Sequence, residues 1–94
     1  MSEITVVARA KVKPGLEDEM ERALRENAEA SRCEGGCLAY SVLRGDDGAF
    51  MTVERWRTRA DVDQHMAAPH VQTLFAAIGP LLEGAPEITM YKEI

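Results

Sequence analysis

The chain opens on a two-residue alternation. Ile4, Val6, Ala8, Ala10 and Val12 share one face, while Thr5, Arg9, Lys11 and Lys13 share the other, with Val7 the exception. That is the pattern of a strand with one buried face over residues 3–13, and Pro14-Gly15 ends it. Over residues 16–32 the period becomes helical, with Leu16, Met20, Ala23, Leu24 and Ala28 in one apolar stripe. Glu17, Asp18 and Glu19 suit the positive end of the helix dipole, and Gly35-Gly36 closes the helix. Residues 37–44 and 49–57 alternate again, joined by the turn Asp46-Asp47-Gly48. In the first of these strands Leu38, Tyr40 and Val42 oppose Ala39, Ser41 and Leu43. In the second, Phe50, Thr52, Glu54 and Trp56 oppose Met51, Val53, Arg55 and Arg57. Thr58 to Asp61 is a capping box that starts a short helix ending near Met66. Pro69 starts another, striped by Val71, Leu74, Phe75, Ile78 and Leu82. A final alternation over 87–93 sets Ile88 and Met90 against Thr89 and Tyr91.

The order is therefore β-α-β-β-α-β. With right-handed crossovers it predicts an α+β, ferredoxin-like antiparallel sheet with helices on one face, a single domain over residues 1–94. The second sheet face keeps Val7, Leu43, Met51 and Val53. An apolar set of that size is too large to leave wet, which predicts a homodimer formed sheet to sheet.

Composition narrows the partners. The 94 residues carry 16 acids against 11 bases, a net charge of −5, which argues against nucleic acid, since phosphate contacts need a surplus of Lys and Arg. No apolar run approaches the ~18 residues of a membrane span, and the opening residues lack the basic and apolar regions of a secretory signal. Cys33 and Cys37 are too few for a disulfide framework. Together these features predict a cytoplasmic protein with reduced thiols and no membrane partner. Their spacing has one residue too many for a C-x-x-C redox motif.

The chemistry-bearing residues gather after the hairpin. Glu54 and Trp56 point the same way on the third strand, with Phe50 and Thr52 on the same face, and His65 lies near the end of the helix that follows. His70 follows Pro69, and Tyr40 lies on the second strand. Two imidazoles, a carboxylate and a large flat ring suit a planar, weakly acidic organic substrate. His accepts a proton near neutrality, and Trp offers a stacking face and one N–H. His65 and His70 are five residues apart and do not face each other within one helix, so no metal site is expected. No glycine pattern cradles a nucleotide, so no cofactor is implied.

The run Val53-Glu54-Arg55-Trp56, the helix at Asp61, His65, and Ala68-Pro69-His70 resemble the antibiotic biosynthesis monooxygenase family. So do "VVARAKVKPG" at 6–15 and "GGCLAYSVLRGDDG" at 35–48. The resemblance implies a dimeric α+β barrel with a pocket between the sheet and the helices of each protomer. It also implies oxidation of an electron-rich substrate by O₂ without metal or flavin. Trp56 matches the tryptophan shared by the anthrone-oxidising and haem-degrading branches. Thr52 stands where the anthrone branch has asparagine. Ala8 and Phe75 stand where the haem branch has asparagine and its ligating histidine, which argues against haem. His65 and Pro69-His70 are similar to the quinol monooxygenase and sugar-isomerase members.

The resulting expectation is a cofactor-free monooxygenase of a small aromatic quinol or polyphenol. His65 is the base, Glu54 its partner and Trp56 the stacking face. Tyr40 and His70 supply further donors, and Thr52 and Phe50 lie beside the substrate. Two other functions fit the same residues: an isomerase of a small carbonyl or sugar-phosphate compound, and a ligand-binding dimer without turnover.

Overall fold

The computed structural model describes residues 2–94. Its elements are β1 (Ile4–Lys11), α1 (Glu17–Arg32), β2 (Cys37–Arg44), β3 (Ala49–Trp56), α2 (Arg59–Ala67), α3 (Pro69–Ile78), a 3₁₀ turn (Gly79–Leu81) and β4 (Glu87–Tyr91). The strands form one antiparallel sheet in the order β2-β3-β1-β4. This is the ferredoxin-like α+β fold that the periodicity predicts.

The register fixes which side chains meet above the sheet. Glu54 lies opposite Tyr40 on one side and Val6 on the other. Thr52 lies opposite Val42 and Ala8, and Ala8 lies opposite Ile88. All of these residues fall on the face that the helices cover, because side chains alternate along each strand. Small residues at Ala8 and Ala10 leave room above the central strands.

Helix α1 lays Met20, Leu24, Asn27, Ala28 and Ser31 onto this face. They follow helical spacing, and two of the five are polar. The core has two halves. One gathers Val12, Met20, Leu24, Phe50, Leu74 and Ile78 with Leu81 and Leu82. The other gathers Ile4, Val6, Ala28, Tyr40, Trp56 and Val62.

Thr58 caps α2, its side chain accepting from the Asp61 backbone N–H at 3.2 Å. The Asp61 carboxylate accepts from the Thr58 hydroxyl and the Arg57 guanidinium, which hold its pKa below the usual carboxylate range. Ala68 is extended (φ −67°, ψ 144°), as a residue before proline prefers. It breaks the helix so that α3 restarts at Pro69 in a new direction.

Two details depart from the simple alternation. The register shifts between Cys37 and Ala39, so Leu38 turns out to solvent while Tyr40 is buried. A bulge moves one residue out of phase without disturbing those after it. The first strand also ends earlier than predicted, and Val12 makes a separate bridge to Leu82.

The far face of the sheet carries Val7, Met51 and Val53, half-buried, and Leu43, exposed. Among the described residues, no helix lies on it. The helices also stop short of β4, where Ile88 and Met90 remain 40 % and 39 % exposed on the helix side. Among the described residues, no helix is long and apolar enough to cross a membrane.

Candidate active site

Glu54 lies in the middle of the fold, 4 % exposed. Period-two geometry puts Thr52 and Trp56 on either side of it. Its Oε2 accepts from the Thr52 hydroxyl at 2.8 Å, and its Oε1 accepts from the Trp56 indole N–H at 3.0 Å. A carboxylate taken out of water needs such donors.

His65, in the last turn of α2, is 3 % exposed. Its ring packs against Trp56 at 4.4 Å between centroids and meets the edge of Tyr40 at 5.9 Å. Nδ1 is 2.7 Å from Glu34 Oε2, and Nε2 is 3.6 Å from Glu54 Oε1. The first distance is a hydrogen bond and the second is too long for one. When Nδ1–H donates to Glu34, the Nε2 lone pair faces the Glu54 carboxylate. Both atoms are then acceptors, and the gap between them suits a shared proton donor such as a hydroxyl group.

His70 lies at the start of α3. Its Nε2 is 3.1 Å from Glu34 Oε2 and 3.3 Å from Ser31 Oγ. The two imidazoles are 5.9 Å apart between centroids. The expectation from spacing, that they do not face each other within one helix, does not carry over to residues on two successive helices. The break at Ala68 brings them together, and the carboxylate between them is Glu34 rather than Glu54.

Tyr40 and Asn27 form the remaining polar pair. Asn27 Nδ2 donates to the Tyr40 hydroxyl at 2.9 Å. Asn27 Oδ1 is buried with no partner among the described residues, an acceptor available to a bound molecule. Burial, and then the nearby Glu54 charge, push the Tyr40 phenol far above its usual value, so it stays an O–H. The Cys37 thiol is also pushed up, by burial first and then by Glu34 and Glu54. This disfavours the thiolate that a nucleophilic cysteine needs. Cys33 and Cys37 are both free.

A cavity of about 60 Å³ opens where the two halves of the core meet, between sheet and helices. Glu54, His65, Thr52, Tyr40 and Asn27 form its polar end, and Phe50, Leu24, Leu74, Phe75 and Ile78 its apolar walls. Of the residues singled out in the sequence, Glu54, His65, Tyr40, Thr52 and Phe50 line this cavity. Trp56 and His70 do not. Trp56 is fully buried behind His65, so its face meets the imidazole and its N–H holds Glu54. His70 borders a separate groove with Asn27, Thr73 and Ala77.

Asn27, Ser31 and Glu34 are the site residues that the sequence pattern passed over. Asn27 and Ser31 had a visible signal: they are polar residues on the buried stripe of α1. Glu34, in the turn before Gly35-Gly36, had none.

A small ferredoxin-like domain with a polar-ended pocket between sheet and helices defines the class. Within it, the chain matches the antibiotic biosynthesis monooxygenase family over residues 3–77 and belongs to that family. It is 34 % identical over 91 residues to an uncharacterized protein of Synechocystis, covering 95 % of this chain and 62 % of that protein. The chain thus spans less than two thirds of that relative. A Mycobacterium tuberculosis protein named "Putative monooxygenase" is 29 % identical over 90 residues, covering 95 % of this chain and 89 % of that one. The solved structure of the same protein superimposes with a TM-score of 0.93 at 28 % identity, covering 99 % of this chain and 96 % of that one. A conserved protein from Methanosarcina mazei superimposes with a TM-score of 0.94 at 27 % identity, covering 100 % and 95 %.

Proposed function

We propose that this chain is a cofactor-independent monooxygenase of a small, single-ring quinol or polyphenol. The observation that carries the reading is the opposed pair of His65 Nε2 and Glu54 Oε1, 3.6 Å apart at the polar end of an otherwise apolar cavity. A substrate hydroxyl placed there gives its proton to His65, whose other nitrogen is held by Glu34. The imidazolium that forms lies against two carboxylates, which stabilise its charge. The phenolate then passes an electron to O₂, and the two recombine as a peroxide on a ring carbon. Breaking the O–O bond with loss of water leaves a new carbonyl. One oxygen atom enters the quinone and the other leaves as water, and all four electrons come from the substrate. Apolar walls favour this course by keeping bulk water from the intermediates.

Size and charge favour a small, uncharged substrate over a large or phosphorylated one. At about 60 Å³ the cavity is under half of the ~150 Å³ that admits benzene in an engineered core. Even one ring therefore has to displace side chains such as Met66, and methionine yields readily. Apart from His65, Arg9 is the one base among the lining residues, which gives a sugar phosphate little to hold.

We also infer that the uncovered sheet face, with Val7, Met51 and Val53, packs against a second copy to complete a dimeric α+β barrel. Oxidation under ¹⁸O₂ tests the reaction: one labelled oxygen atom is expected in the quinone. Product without label contradicts it, and solvent deuterium entering a carbonyl substrate without O₂ consumption identifies the isomerase instead.

A further inference from the structure

The cluster of Glu34, His65 and His70 has a second use. One ligand atom from each lies within 4.8 Å of the other two, with Glu34 Oε2 facing His65 Nδ1 and His70 Nε2. We propose that these three side chains bind a divalent transition-metal ion of the Zn²⁺ class.

Three features carry the assignment. The donor set is two imidazoles and a carboxylate, which suits Zn²⁺ and its neighbours rather than Mg²⁺ or Ca²⁺, whose preferred ligands are all oxygen. Bonds of 2.0–2.2 Å in a tetrahedron put ligand atoms about 3.3 Å apart. The present separations to Glu34, 2.7 Å and 3.1 Å, are within a few tenths of an ångström of that, and the imidazole ligand atoms lie within 4.8 Å of each other. Glu34 and His70 are partly exposed and free to adjust. The buried ligand is already oriented for the task. Ligating histidines usually direct their other ring nitrogen at a carboxylate. His65 does so toward Glu54, itself fixed by Thr52 and Trp56.

Three protein ligands leave one position of a tetrahedral ion for water or a small anion. The ion would approach from the side of His70 and Glu34, away from the apolar cavity. Bound at Nδ1, it leaves the proton of His65 on Nε2, where it points at Glu54. The lone pair that faces the cavity is then gone. Metal at Nδ1 and proton acceptance at Nε2 therefore compete for one imidazole. The metal site itself does not depend on the oxygenase reading, because its affinity is measured without substrate.

The test is calorimetric titration of chelator-stripped protein with Zn²⁺, with fluorescence of Trp56, the single tryptophan, as a second signal. One saturable ion per protomer is expected, unaffected by excess Mg²⁺. His70→Ala and Glu34→Gln each remove a ligand and should each weaken it by more than the about 10–100-fold that loss of an outer-shell partner brings, with circular dichroism unchanged. The double variant Cys33→Ser, Cys37→Ser should bind as the parent does. No saturable binding below about 1 mM, affinity unchanged in His70→Ala, or affinity lost with the two thiols would each overturn the proposal.

Discussion

Glu34 Oε2 stands 2.7 Å from His65 Nδ1, across 31 residues of sequence. Glu34 sits in the turn after α1 and His65 in the last turn of α2, so the contact exists only because both helices pack on the same end of the sheet. It turns the imidazole so that its other nitrogen faces Glu54. Glu34→Gln keeps an acceptor for Nδ1–H but removes the charge. Turnover should fall by part of the about 10²–10⁴-fold that a positioned base supplies, with KM little changed. Steady-state kinetics on quinol substrates check this, and an unchanged kcat would remove Glu34 from the site.

Trp56 and Glu54 depend on each other. Trp56→Phe removes the N–H donor from Glu54 Oε1 and leaves a buried carboxylate oxygen short of a partner. The cost should be about 1–3 kcal/mol, read from urea denaturation. Equal stability would mean that water replaces the indole, which burial of both residues argues against.

Tyr40 gives the site an alkaline signature. An acid that ionises less readily in the folded chain binds more protons there than in the unfolded chain once the pH passes its unfolded pKa, about 10 for tyrosine. The contribution of Tyr40 to stability is therefore complete below about pH 10 and is lost as the pH rises beyond it. Tyr40→Phe should flatten that fall in denaturation midpoints between about pH 9 and 11. It should also leave the tyrosinate absorbance of the folded protein unchanged over the same range.

The uncovered sheet face is tested separately. Val53→Lys places a charge at the centre of the surface proposed to meet a second copy, a position where an unpaired charge is costly to bury. The parent should sediment as a dimer and the variant as a monomer with an unchanged circular dichroism spectrum. A monomeric parent would contradict the barrel.

The fold was legible because its signals are periodic and local. Ile4 to Val12 alternate, Met20 and Leu24 repeat at helical spacing, Thr58 to Asp61 spells a cap, and Pro69 marks a helix start. These patterns locate strands and helices without any knowledge of distant contacts. The site was legible only where it follows the same logic. Thr52, Glu54 and Trp56 share a face because a strand has period two, and the bond from the indole to the carboxylate follows from that spacing. Glu34 was invisible because nothing local connects a turn residue to a histidine on another helix. The meeting of His65 and His70 was not visible for a related reason. Ala68 and Pro69 were visible as a helix restart, but the change of direction there depends on how α3 packs on α1. Trp56 looked like a stacking surface because an aromatic residue at a strand end has one wide face. Its neighbours in the fold, His65 above all, occupy that face.

Oxygen consumption is the most direct test of the central claim, that His65 is the base of an O₂-dependent quinol oxidation. A panel of single-ring hydroquinones is followed with an oxygen electrode, with the parent chain and His65→Ala compared at equal concentration and equal circular dichroism. The parent should consume O₂ well above autoxidation for at least one substrate, and the variant should lose about 10²–10⁴-fold of that rate. No uptake above autoxidation across the panel, or an equal rate in folded His65→Ala, would contradict the account.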